Sequence, residues 1–153
     1  MIQRPQSIFL LIVIIALLVA TALPIWTQAD AYHLSAWQLQ EVNAGDELLH
    51  RMPYVLLGVC CWLAAIIAAY EMFRYDNRGL QLKLGMLNNL LILAILMSTL
   101  YLTRQKAALL LASVPGKYRI GFFLLIKALG SNLLANHFIR KDEKLVRSAD
   151  RMR

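Results

Sequence analysis

Apolar residues in this chain gather into four long runs, 8–26, 53–73, 84–102 and 120–139, and the stretches between them hold most of the charges. A helix rises 1.5 Å per residue, so about 20 apolar residues cross the roughly 30 Å of hydrocarbon in a bilayer. Each run has that length. The pattern predicts an all-α fold: an integral membrane four-helix antiparallel bundle, with residues 1–153 forming a single membrane domain.

Composition agrees with the pattern. The chain is 59% hydrophobic and only 16% charged, against about 45–50% and 25% in soluble domains. Its net charge of +7 would suggest nucleic acid in a soluble protein. Next to apolar spans it points first to anionic headgroups and retained loops, and no nucleic-acid partner is expected. The two cysteines, Cys60 and Cys61, are adjacent within the second run, so they cannot staple distant chain and read as packing residues.

Charge also orients the runs. The N-terminus, second loop and tail carry ten basic residues; the first and third loops carry five, Arg51, Arg104, Lys106, Lys117 and Arg119. The bias predicts both termini on the cytoplasmic side of a bacterial inner membrane. Arg4 and Ala20-Thr21-Ala22 have the look of a secretory n-region and cleavage site, but the length of the first run favours its retention as a span.

The two outer loops differ in sign. The first, 27–51, holds Asp30, Glu41, Asp46 and Glu47; the third, 103–119, holds four basic residues and no acid. They are expected to dock on each other, the segment 107–114 prolonging the third helix or lying in the interface, before a turn at Pro115-Gly116. His33 and His50 match no metal-ligand spacing and read as members of a solvated loop. Trp26, Tyr32 and Trp37 suit an aromatic belt at the outer boundary.

Polar residues inside the runs are the candidate sites. Asn88 and Asn89 on the third helix, with Asn132 and Asn136 on the fourth, fall at one level of an antiparallel pair. They predict either cross-helix amide hydrogen bonds or the wall of a polar path. The second run offers Gly58, Cys61, Ala65 and Ala68 on one face, where backbones can approach closely. Glu71 and Lys83 are expected at the headgroup boundary. Lys127 lies seven residues into its run, about 10 Å deep. It either snorkels outward or meets a partner or a lipid phosphate. Beyond the last run, 140–153 reads as an amphipathic helix with Glu143 and Arg147 paired at i, i+4. Its Arg140, Lys141, Lys144 and Arg147 are candidates for lipid or partner contact.

The opening Met1-Ile2-Gln3-Arg4, the stretch Leu80-Gln81-Leu82-Lys83-Leu84, and the closing Arg140-Lys141-Asp142-Glu143-Lys144-Leu145-Val146-Arg147-Ser148-Ala149-Asp150-Arg151 resemble a family of small four-span inner-membrane proteins of Bacteroidota, domain of unknown function 4293. The resemblance implies four helices and a membrane location, and it supplies no activity, cofactor or catalytic residue. The residues themselves show no nucleophile–base pair, no His/carboxylate cluster and no phosphate-binding glycine loop. The expected function is therefore a non-catalytic, cofactor-free accessory or scaffold subunit of a membrane complex, with the bilayer and a membrane protein or second copy as partners. The alternative is a small transporter or channel with a polar path near Asn88, Asn89, Asn132 and Asn136.

Overall fold

A computed structural model describes residues 5–28, 32–42, 48–74, 77–110 and 116–150. Four helices carry the fold: α1 (Pro5–Ala22), α2 (Val55–Phe73), α3 (Arg78–Leu110) and α4 (Ile120–Asp150). They alternate in direction, and α1 packs on α4 and α2 while α3 packs on α2 and α4. Three apolar segments, Val55–Phe73, Arg78–Gln105 and Ile120–Leu145, are long enough to cross a membrane. The shorter α1, 18 residues or about 27 Å, lies beside them.

Local chemistry sets the helix ends. The first apolar run extends to Trp26, but α1 stops at Ala22. Pro24 has no N–H to continue the ladder and pushes Leu23 toward an extended conformation. The α2–α3 turn ends on Asn77, whose Oδ1 accepts from Leu80 N at 3.1 Å and so caps α3. Two helices run past the predicted limits. Helix α3 has 33 residues and α4 has 31, about 50 and 46 Å. The fourth span and the tail are thus one continuous helix as far as Asp150. The expected continuation of α3 is present through Leu110; the rest of that segment and Pro115 lie outside the described residues.

The expected open first loop is instead a small antiparallel sheet. Strands β1 (Trp26–Gln28), β2 (Tyr32–Leu34), β3 (Gln38–Val42), β4 (Leu48–Pro53) and β5 (Lys117–Tyr118) lie in the order β4-β3-β2-β1-β5. The two outer loops do dock, but through backbone pairing, with Trp26 opposite Tyr118 and Thr27 opposite Lys117. Arg119 Nε adds a 2.9 Å bond to Thr27 Oγ1. The acids Asp30, Asp46 and Glu47 and the side chain of Glu41 lie outside the described residues. Trp26 is not a belt residue; at 2% exposure it anchors a second apolar cluster with Leu34 and Leu39. That burial gives the loop a reason to fold.

The sheet is fastened to the helices at one end of the bundle, hereafter the sheet end. Gly58 N donates to Ala36 O and Tyr54 N to Trp37 O, both at 2.8 Å, while Gly121 N donates to Pro24 O at 3.2 Å. Of these N–H groups, those of Tyr54 and Gly121 stand at helix starts where no helix carbonyl can reach. The Trp37 ring lies flush on Gly58, in space that any Cβ would invade. The main apolar core below joins Val13 and Leu17 to Ala64, Ile92, Ile95 and Leu125. Gly58→Leu is expected to lift Trp37 and lower unfolding stability in detergent by about 1–3 kcal/mol. The open position Gly79 serves as control, where Gly79→Ala leaves stability equal or higher.

Candidate functional site

At the end away from the sheet, the distal end, the core changes from apolar to polar, and every helix contributes. Gln6 comes from α1, Glu71 from α2, Gln81 and Asn88 from α3, and Asn132 and Asn136 from α4, all of them buried. Their placement follows helical phase. Glu71 continues the inward face Cys61, Ala64, Ala68 of α2, and Gln6 continues the face Leu10, Val13, Leu17 of α1.

Gly85 organises this layer. It is buried on the face of α3 toward α4, and the Asn136 side chain fills the space where a Cβ would stand. This close approach lets Asn132 Nδ2 reach Gly85 O at 3.1 Å and Asn89 Oδ1 at 2.9 Å. Asn89, Asn132 and Asn136 thus meet at the α3–α4 contact. Asn88, which lies between Gly85 and Asn89 in the chain, is fully enclosed and has no hydrogen bond from its side chain to any described residue.

Glu71 departs from the sequence expectation. It was expected at the headgroup boundary, yet it is 0% exposed and neither carboxylate oxygen has a hydrogen-bond partner among the described residues. Gln81 lies beside it, with Nε2 donating to the Glu71 carbonyl at 3.2 Å and Oε1 left over. The signal was present in the sequence, because the small-residue face of α2 passes through position 71. By contrast, Lys83 is exposed. Arg78 bonds to Asp142, Nη1 to the carbonyl at 2.8 Å and Nη2 to the carboxylate at 3.2 Å, tying the start of α3 to the far part of α4. A Phe9–Phe138 stack, centroids 5.4 Å apart, fastens α1 to α4 at the same end.

Lys127 belongs to neither cluster. It is exposed on the outward stripe of α4 with Phe123, Ile126, Leu133 and Leu134, and the neighbouring Gly130 opens onto empty space. Arg140, Lys141 and Lys144 are exposed on the distal extension of the same helix; the side chain of Arg147, and with it the expected Glu143–Arg147 pair, lies outside the described residues. At the sheet end His33 lines an open cavity of about 480 Å³ together with Thr21, Pro24 and Trp37. His50 is two strands away from it, on β4, and its side chain is outside the described residues. Among the described residues no three His, Cys, Asp or Glu side chains gather as metal ligands.

Residues 2–152 match the family model described as Domain of unknown function (DUF4293). The chain belongs to that family. Among curated proteins no relative of the chain was found. Membership in DUF4293 brings no reaction with it, so the chemistry rests on the geometry: a polar layer rich in free acceptors inside the bundle, and a cation on its outer face.

If Gly85 sets the α3–α4 spacing, Gly85→Leu, which must displace Asn136, is expected to destabilise more than Asn132→Ala. The latter removes one donor from Gly85 and Asn89 and is expected to cost about 1–2 kcal/mol. Thermal unfolding of both variants in detergent micelles measures the order.

Proposed function

We infer that this DUF4293 chain is a non-catalytic, four-span accessory or scaffold subunit of a complex in the bacterial inner membrane, with both termini cytoplasmic. The observation that carries the reading is the outward face of α4. An ammonium at Lys127 stands among lipid-facing apolar side chains, about 10 Å from the start of the helix. A cation at such depth costs up to about 2.5–3.5 kcal/mol in lipid unless it snorkels or meets a counter-group. Gly130, one turn further, leaves a notch into which a second helix fits closely. The expected partner is thus a membrane helix, of another protein or of a second copy, offering a carboxylate or free carbonyl at the level of Lys127.

The distal extension of α4 supports the same reading. Arg140, Lys141 and Lys144 project from a helix that outruns the bilayer, and they suit anionic headgroups or an acidic partner surface. The non-catalytic part of the reading rests on the sequence, which offers no nucleophile and base in one constellation. A pore is the weaker reading. Polar side chains fill the distal half of the core, while the fully buried Ile92 and Leu125 belong to an apolar core toward the sheet end.

Gentle detergent extraction of the native protein, followed by mass analysis of what travels with it, tests the proposal. A stoichiometric membrane partner or a second copy is expected, lost in Lys127→Leu and Gly130→Leu while the chain's own unfolding temperature stays unchanged. A wild-type chain that purifies as a lone monomer, or a partner retained by both variants, contradicts it.

A further inference from the structure

The distal polar layer has properties that helix–helix adhesion does not require. Among the described residues Glu71 is the only carboxylic acid or basic side chain that is fully buried, and its two carboxylate oxygens face no donor. An isolated carboxylate in such surroundings is strongly unfavourable without a compensating positive charge or proton. The basic group Arg78, one turn from Gln81 on α3, is engaged by Asp142.

The neighbouring amides add four unpartnered oxygens, of Gln81, Asn88, Asn132 and Asn136, and two unpartnered nitrogens, of Asn88 and Asn136, among the described residues. Gln81 spends its Nε2 on the Glu71 carbonyl and Asn132 spends its Nδ2 on Gly85 and Asn89. These bonds fix the orientation of both amides, and they leave Gln81 Oε1 and Asn132 Oδ1 without partners among the described residues. Asn88 and Asn136 have no hydrogen bonds to described residues through either side-chain atom, and Asn136 is packed with its amide against Gly85.

We propose that Glu71, Gln81 and the amides of Asn88, Asn132 and Asn136 form a binding site for a monovalent alkali cation, sodium or potassium, entered from the distal end of the bundle. Oxygen donors without sulfur or imidazole select hard cations. One carboxylate neutralises one positive charge, whereas a divalent ion would leave a net charge buried in the core. The residues stand at successive depths. Glu71 and Gln81 share one level, Asn136 meets Gly85 one turn deeper, and Asn88 lies seven residues beyond Gln81, about 10 Å. The ion rests against Glu71 and Gln81 with water completing its shell, and the deeper amides hydrogen-bond further water behind it. Ile92, next along the inward face of α3, closes the file.

The test is binding of radioactive sodium or rubidium to the purified chain in lipid nanodiscs, with unfolding temperature read in parallel in NaCl, KCl or choline chloride at equal ionic strength. The expected results are saturable uptake displaced by NaCl or KCl but not by choline chloride, a higher unfolding temperature in the alkali salt, and affinity weakened about 100-fold in Glu71→Gln. Gln81→Leu, which keeps the carboxylate, is expected to weaken binding by a smaller factor. Absence of saturable binding in the folded wild type overturns the proposal, as does equal binding in a folded Glu71→Gln variant. A stability that follows pH but is identical in alkali and choline salts overturns it too, and assigns a proton to Glu71 instead.

Discussion

The contact between α3 and α4 at Gly85 is the constraint on which the interior of this bundle depends. Without a side chain at that position the two helices come close enough for Asn136 to fill the gap and for Asn132 to reach both the Gly85 carbonyl and Asn89. In lipid the hydrophobic effect does not hold helices together, so close packing and amide hydrogen bonds must do so. Asn88, Glu71 and Gln81 are buried in the same half of the core. A tight helix contact thereby becomes the wall of a polar compartment.

At the opposite end the problem is different, because helix starts expose N–H groups that need partners. The sheet supplies them. Backbone carbonyls of Pro24, Ala36 and Trp37 receive the N–H groups of Gly121, Gly58 and Tyr54, while β1 links the chain leaving α1 to the chain entering α4 through its pairing with β5. The helices are therefore tied together by folded backbone at the sheet end and by side chains, Arg78–Asp142 and Phe9–Phe138, at the distal end. Its two long helices run on in opposite directions, α3 at the sheet end and α4 at the distal end.

Helical phase and apolar run length made the helices and the meeting of Asn89 with Asn132 legible in the sequence, because both follow from a repeat of 3.6 residues. The sheet was not legible. Its strands are three to six residues or shorter, and its register comes from docking on Trp26 and on the helix starts, partners far away in sequence. Glu71 was misplaced for a related reason. Its distance from the end of the apolar run suggested a headgroup position, while its phase on α2, shared with Ala64 and Ala68, decided its burial. Lys127 shows the reverse case: depth was readable from the run, but which way it faced depended on how α4 packs against α1 and α3.

This DUF4293 chain carries Lys127 and the open position Gly130 on its outer face and a buried polar layer in its distal core. Everything in that layer requires α3 and α4 to meet through Gly85 within one molecule. Disulfide trapping in intact membranes measures this most directly, using Asn89→Cys with Asn132→Cys in a chain where Cys60 and Cys61 are replaced by alanine. Rapid intramolecular crosslinking without dimer formation is the predicted result, and Leu93→Cys with Asn132→Cys should stay unlinked because Leu93 faces outward. No crosslink, or one that appears only as a dimer, would contradict it.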